Sequence, residues 1–152
     1  MTHEPVVTYT AYRQADVSGV IAGRIGALLV DFVVIGVLWA IFAFALLVMG
    51  VFTFGLSWLL LAPLWPTVAL LYNGITISGP RRGTIGQRMF GVEIRTTSGR
   101  TAPFIVAAAH AVLFYVSVTT LTPLVLLIGL VREDRRLLHD LLAGLIAVRR
   151  GS

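Results

Sequence analysis

Hydrophobic residues in this chain fall into long blocks that contain almost no charge. No Asp, Glu, Lys or Arg occurs from Phe32 to Pro80, and none occurs from Thr101 to Val131. An α-helix needs about 20 apolar residues to cross a hydrocarbon layer about 30 Å thick. The pattern therefore predicts three apolar helical segments, at about residues 25–48, 56–77 and 104–131.

The first two segments are predicted to form an antiparallel transmembrane hairpin. Asp31 lies in the first segment, and inserting a carboxylate near a helix centre costs about 3 kcal/mol. The sixteen Leu, Ile, Val and Phe residues of 25–48 offset this cost, because each contributes about −0.3 to −0.6 kcal/mol. The connection at residues 49–55 is short and uncharged, so the chain has to turn back at once. Pro63 and Pro66 are expected to kink the second segment.

The third segment allows two topologies. As one helix it would be about 42 Å long and would span the bilayer with tilt, which would place the arginines after residue 131 outside the cell. The alternative is a helix broken at residues 119–123, whose two arms enter the membrane and return. Cytoplasmic segments are enriched in arginine, so the charge pattern favours the broken or re-entrant form.

Two short β patterns support the same topology. Residues 91–95 alternate apolar and polar side chains before a turn signal, and residues 144–149 form another short β run. Two isolated strands are expected to pair with each other, which requires that both lie on the same side of the membrane.

Composition and charge orient these segments. The chain has 152 residues, of which 57% are hydrophobic and 12% charged, with a formal net charge of +5. The loop 79–103 carries five arginines and one acid, so the positive-inside rule predicts that this loop, the N-terminal tail 1–18 and the C-terminal segment 132–152 are cytoplasmic. The predicted architecture is an all-α multi-pass protein of the cytoplasmic membrane, with a membrane domain at 19–150 and a small cytoplasmic layer holding the β pairing.

Several functional classes are disfavoured by the residues present. The absence of cysteine excludes thiolate catalysis, a disulfide scaffold and cysteine-ligated zinc. The arginines lie at membrane edges without interleaved aromatic residues, so anionic lipid head groups are the expected partners rather than nucleic acid. The His139-Asp140 doublet suggests a metal hydrolase, but such a site needs more ligands than His3 and His110 are expected to add. We expect no enzyme activity, no cofactor and no metal.

A charged seam runs along the first predicted helix. Arg24 and Asp31 are seven residues apart, about 10 Å along a helix and about 700° around it, so both project from nearly the same face. In an antiparallel hairpin of this length, positions at equal depth sum to about 102. This relation places Tyr72 and Asn73 beside Asp31, where a phenol and an amide can solvate the carboxylate.

The cytoplasmic side supplies the remaining candidate residues. Asp140 is the expected partner of Arg24 or Arg88. His139 is predicted either to titrate near neutral pH or to act as a structural hydrogen-bonding group.

Asp31 supports two hypotheses. Ionisable groups at membrane depth often mark ion or proton pathways. A buried carboxylate is also consistent with a structural strut that ties the first helix to the cytoplasmic layer. The sequence leaves both hypotheses open.

Five motifs occur in order along the chain. They are an arginine at the mouth of the first apolar helix, an aspartate within it, a Leu-Tyr pair late in the second, a Gly-Thr-x-Gly-x-Arg loop, and His-Asp-Leu-Leu-Ala-Gly before a β run. Together they resemble the RDD family of small membrane proteins. That family is named for an arginine and two aspartates, which fall here on Arg24, Asp31 and Asp140. The chain departs from the family pattern at Gln87, where lysine is common, and at His110, where arginine is common.

The resemblance implies transport of an unidentified ligand, with sodium/proton exchange attributed to some members. We therefore expect movement of a cation or small solute coupled to protonation of Asp31, with Arg24 and Asp140 gating its cytoplasmic access. Three apolar segments form a narrow bundle, so a pathway would need a homo-oligomer or a membrane partner chain. The alternative is a non-transporting scaffold or accessory subunit in which the three charged residues are structural.

Overall fold

The computed structural model describes residues 19–131 and 136–150, with side chains for 19–117 and 136–150. In chain order the elements are α1 (Val20–Phe52), a 3-10 segment (Leu56–Leu60), α2 (Leu61–Ser78), α3 (Ile85–Met89), β1 (Val92–Thr96), α4 (Phe104–Val131), α5 (Leu138–Ala143) and β2 (Leu145–Arg149). The predicted class, mostly helical with long apolar helices and a small β pairing, is confirmed. The predicted tail 1–18 lies outside the described residues.

The predicted antiparallel hairpin is formed by α1 and α2. With 33 residues, α1 extends beyond the predicted span 25–48 at both ends. The turn is correspondingly short, and Gly55 adopts a left-handed φ of 87° that a side chain would strain. The Ser57 hydroxyl donates a hydrogen bond of 2.8 Å to the Leu46 carbonyl. The turn is therefore closed by polar contacts within the chain.

Two proline residues lie near the start of α2. Pro63 lies in the first turn, where a backbone N–H has no intrahelical acceptor, so its loss is tolerated there. Pro66 lies inside the helix. The kink expected at these positions stays a prediction.

Apolar side chains on the two long helical segments point outward rather than into a core. In the most apolar 18 residues of α1 only 11% are buried within the protein, and the value for 56–78 is 28%. Leu29, Phe32 and Phe44 are each more than 60% exposed. A core helix of a soluble protein would bury such residues, so these helices are membrane-spanning.

The third apolar helix is continuous. Its backbone is helical from Phe104 to Val131, so the break predicted at residues 119–123 is not found. In apolar surroundings each backbone group released from a helix loses hydrogen bonding worth several kcal/mol. Breaking several such bonds outweighs the cost of about 3 kcal/mol for one proline within a helix. Continuity is therefore favoured through Pro123.

The two strands pair as the sequence predicts. They run antiparallel, with Val92 opposite Arg149 and Thr96 opposite Leu145. Because the strands flank α4 in the chain, the segments before and after this helix lie together on one side of the molecule. The strand pairing that the sequence tied to a broken third segment is therefore found beside a continuous helix.

We call α3, β1, α5 and β2 together the sheet layer. Its apolar core packs against the ends of the three long helices. Ile94 and Leu145 of the strands cluster with Val20 of α1, Ile77 of α2 and Ala107 of α4. The sheet layer therefore covers one end of the helix bundle and positions the polar residues found there.

A glycine allows α3 to approach α1 closely. A Cβ atom on Gly86 would lie 2.2 Å from the Ala27 carbonyl oxygen and 2.9 Å from Cγ of Asp31. Backbone atoms of α1 do not move aside as a flexible side chain does. Only glycine fits this contact without displacing α3.

We predict that Gly86→Ala lowers the unfolding midpoint in detergent, because overpacking against backbone costs about 1–3 kcal/mol. Gly36→Ala is the matched control, since a Cβ there meets nothing within 4 Å and alanine favours the helix. Thermal unfolding of the two variants beside the wild type measures the difference. A Gly86→Ala midpoint equal to that of Gly36→Ala would contradict the close contact.

Candidate functional site

Asp31 lies in the wall of the helix bundle and accepts hydrogen bonds from two other segments. Oδ1 accepts from the Tyr72 hydroxyl at 2.6 Å and from the Gly86 backbone N–H at 2.8 Å. Oδ2 accepts from the Thr84 hydroxyl at 2.5 Å. The carboxylate is only 8% exposed, and no arginine in the described part of the chain pairs with it. It is therefore a buried acid solvated by neutral donors.

The Gly-Thr-x-Gly-x-Arg loop uses its backbone donors within the protein. The helix α3 begins after Thr84 with a capping box, in which the Thr84 hydroxyl accepts from the Gln87 N–H and the Gln87 side chain accepts from the Thr84 N–H. The Ile85 N–H donates to the Tyr72 hydroxyl at 3.0 Å. The Gly86 N–H donates to Oδ1 of Asp31. This loop therefore binds a carboxylate of its own chain.

Asp140 lies at the start of α5, where its side chain is fully buried. Arg24 binds it in a bidentate ion pair, in which Nη1 contacts Oδ2 and Nη2 lies 2.8 Å from Oδ1. His110 Nε2 lies 2.8 Å from Oδ1, and the Leu137 N–H donates to Oδ2 at 3.0 Å. Burial alone would raise the pKa of Asp140, but the Arg24 charge and these hydrogen bonds hold it well below its ordinary value. Asp140 is therefore ionised, and His110 is the donor in their contact.

His139 is a neutral hydrogen-bonding group. Its Nε2 lies 3.1 Å from Nη2 of Arg24, which can only donate, so Nε2 accepts. Its Nδ1 lies 3.4 Å from the Ser117 hydroxyl, which has its own acceptor in the Phe114 carbonyl. Burial is the main reason that the pKa of His139 falls to about 3. Titration near neutral pH, one of the two roles expected from the sequence, is therefore wrong for this residue.

A cavity of about 310 Å³ is lined by Asp31 and by residues that bind Asp140. It lies between α1 and α4, and its walls are mainly apolar. Asp31 and Arg24 both line it from the α1 side, and His110 lines it from α4. The seam expected from the seven-residue spacing is therefore a cavity wall.

The structure places the candidate residues in unequal roles. Tyr72 contacts Asp31, and Arg24 contacts Asp140, at the positions that depth matching and charge predict. Asn73 lines the cavity, but its amide donates to the Ala69 carbonyl at 2.8 Å. Arg88 Nε donates to the Thr84 carbonyl at 3.0 Å rather than to either acid. Arg24 and Asp31 share a face without bonding to each other.

Sequence reasoning missed the contributions of Thr84 and His110. Thr84 followed three residues later by Gln87 is a capping-box pattern, which predicts a helix start at that point. His110 is the only residue with an ionisable side chain in the charge-free run from Thr101 to Val131, apart from Tyr115. A polar group isolated on an apolar helix signals a buried partner.

Comparisons with known proteins identify one family. The family model described as RDD family matches residues 19–144, which includes all three charged residues for which that family is named. Neither the comparison with curated proteins nor that with solved structures gave a match.

We predict that the protein loses stability as the pH falls from about 6.5 to about 3. In this window the unfolded state protonates His139 while the folded state does not, because burial lowers the folded pKa from 6.5 to about 3. One proton bound only on unfolding gives a slope of up to about 1.4 kcal/mol per pH unit. Asp140 lowers the stability further at more acidic pH. Its pKa is depressed in the folded state, so the unfolded state takes up a proton there before the folded state does.

The measurement is the free energy of unfolding in detergent across this range, for the wild type and His139→Gln. Glutamine keeps an acceptor for Arg24 but does not titrate, so its curve should be shallower above pH 4.5. Parallel curves for the two proteins would contradict a neutral, buried His139.

Proposed function

This chain belongs to the RDD family, and from that premise and the geometry of Asp31 we propose that it moves a cation or small solute across the cytoplasmic membrane in exchange for protons. The observation that carries the proposal is a buried carboxylate that faces a cavity and has no arginine partner among the described residues. An ionisable group so placed inside a membrane protein is a functional candidate, because its charge is expensive to bury.

The partners of Asp31 suit a group that changes its protonation state. The Tyr72 and Thr84 hydroxyls donate to the carboxylate, and each hydroxyl also has lone pairs that accept hydrogen bonds. The Tyr72 oxygen already accepts from the Ile85 N–H and the Thr84 oxygen from the Gln87 N–H, but the threonine oxygen has a further lone pair. When Asp31 takes up a proton, it can donate to Thr84 after a rotation of that hydroxyl group. Both charge states can therefore be hydrogen-bonded without rearranging the backbone.

The Arg24–Asp140 pair supplies the proposed cytoplasmic gate. Its arginine lies on the same face of α1 as Asp31 and lines the same cavity. Movement of the Arg24 guanidinium into the cavity would oppose a cation near Asp31, whereas its pairing with Asp140 neutralises that charge. The ion pair would in this way set the affinity of Asp31 for its proton or cation.

We further propose that the pathway is completed by a second copy or by a membrane partner. Both α1 and α2 present large apolar side chains outward, so they can pack against further helices as well as lipid. Van der Waals packing of this kind drives helix association in bilayers.

The alternative proposal is a scaffold or accessory subunit. It is favoured by the hydrogen bonding of both acids, because among the described residues no buried side-chain nitrogen or oxygen lacks a partner. In that case Asp31 ties α2 and α3 to α1, and its removal affects stability alone.

A vesicle experiment separates the two. With a proton gradient imposed across reconstituted vesicles, addition of sodium, potassium or lithium should dissipate it for the wild type, while Asp31→Asn abolishes this exchange. Glu93→Gln is the matched control, since Glu93 is a buried acid that pairs with Arg95 in the sheet layer, away from the cavity.

The proton gradient is read with a pH-sensitive dye inside the vesicles. Transport through Asp31 is falsified if a folded Asp31→Asn protein exchanges ions as the wild type does. No exchange by the wild type, with a lower unfolding midpoint for Asp31→Asn, would support the scaffold instead.

We propose that the sheet layer faces the cytosol, where its arginines contact anionic lipid head groups. Arg81, Arg100 and Arg150 are exposed on this side of the bundle. The chain has no cysteine, so single cysteines report topology directly.

The reagent is an impermeant thiol label applied to intact cells. Phe54→Cys, in the fully exposed turn after α1, should react from outside, whereas Ser98→Cys, in the exposed turn after β1, should react only after permeabilisation. Labelling of Ser98→Cys on intact cells would reverse the proposed orientation.

A further inference from the structure

We propose that His110, His139 and Asp140 form a binding site for a divalent transition-metal ion, and that Arg24 competes with the metal for it. This inference is independent of the transport proposal, because it concerns binding alone and its test reads binding directly. The sequence suggested that His3 and His110 would add too few ligands to the His139-Asp140 doublet for a metal hydrolase, and the proposal here is for binding with His110 as the added ligand.

The ligand atoms lie close enough to be bridged by one ion. One ring nitrogen from each histidine and a carboxylate oxygen all lie within 4.8 Å of one another. Nε2 of His110 is 2.8 Å from Oδ1 of Asp140, and Nε2 of His139 is 3.5 Å from the same oxygen. Tetrahedral ligands at about 2.1 Å from zinc are separated by about 3.4 Å. The observed spacing therefore needs only small side-chain movements.

The surroundings orient these ligands. The Ser117 hydroxyl contacts Nδ1 of His139, which leaves the lone pair of Nε2 directed at the site. The Leu137 N–H holds Oδ2 of Asp140, so Oδ1 stays turned toward both histidines. The ring of Phe114 packs edge-on against His139 at 5.1 Å. Such outer contacts raise metal affinity by fixing the tautomer and the orientation of the ligands.

Arg24 occupies the position that the metal would take. Its Nη2 lies 2.8 Å from Oδ1 of Asp140 and 3.1 Å from Nε2 of His139, so one guanidinium nitrogen contacts two of the three ligand atoms. Arg24 also lines the cavity, which gives its side chain space to move into when a metal binds. Nε2 of His110, which now donates to Asp140, must then carry no proton, so that its lone pair can bind the metal.

The donor set selects the class of metal. Two imidazole nitrogens and one carboxylate oxygen suit zinc, cobalt, nickel or copper, whereas magnesium and calcium prefer all-oxygen sites. His110 and His139 border the cavity, so a fourth position on the metal would open into it. A water molecule or a small solute ligand fits that position.

The test is a titration of the purified full chain with Co²⁺, followed by its visible absorption, with displacement by Zn²⁺. The protein is prepared without a polyhistidine tag, so that the titration tests the chain's three histidines, His3, His110 and His139. We expect one metal ion per chain, and a loss of affinity of about ten-fold or more in His110→Gln and in His139→Gln. His3→Ala is the matched control and should bind as the wild type does.

Arg24→Gln tests the competition. Removal of the guanidinium should tighten Co²⁺ binding by about ten-fold or more, because the metal no longer has to displace a buried cation. Elution of each variant as a single species in detergent shows that it is folded.

The proposal is overturned by the absence of saturable Co²⁺ binding to the wild type at millimolar concentration. It is also overturned by unchanged binding in folded His110→Gln and His139→Gln, or by loss of binding in His3→Ala. If a folded Arg24→Gln protein binds Co²⁺ no more tightly than the wild type does, Arg24 does not compete with the metal. The wild type and the histidine variants decide the site even when Arg24→Gln does not fold.

Discussion

A carboxylate buried among apolar helices has to obtain its hydrogen bonds from the protein, because no other polar groups surround it. Asp31 and Asp140 are both under this constraint, and each draws its donors from distant parts of the chain. Asp31 binds Tyr72 of α2 and the loop that opens α3. Asp140 binds Arg24 of α1 and His110 of α4. The two acids thereby fasten the three long helices and the sheet layer into one arrangement.

Apolar contacts alone would not select that arrangement inside a bilayer. Lipid tails are as apolar as leucine, so helices gain little by burying apolar side chains against each other instead of lipid. The hydrophobic effect is at full strength only where folding removes apolar surface from water, as it does at the sheet layer. The core of that layer includes Ile94 and Leu145. The fold therefore combines hydrogen bonds and an ion pair between buried polar groups with a conventional hydrophobic core at one end of the bundle.

Local patterns and simple geometry predict much of this structure. Charge-free blocks define the helices, alternation defines the strands, and equal depth in a hairpin predicts the contact between Asp31 and Tyr72. The contact between Arg24 and Asp140 follows from opposite charge on one side of the membrane. The contact between His110 and Asp140 could not be predicted from the sequence. It depends on how α4 packs beside α5, and sequence spacing carries no information about that packing. The continuity of α4 was missed because the break was inferred from the positions of the arginines, and these carry no information about the backbone of the apolar segment between them.

A structural carboxylate and a carboxylate that exchanges a proton need the same hydrogen bonds when they are buried. The hydrogen bonds alone therefore do not distinguish the two roles. The cavity does bear on the question. A structural carboxylate needs only its hydrogen-bond donors, whereas a carboxylate that exchanges a proton or an ion also needs a route by which these reach it. Here Asp31, Arg24 and the two histidines all border one space of about 310 Å³. The proposed exchange of a proton, a solute or a metal ion needs a space beside these residues, whereas a strut does not need one.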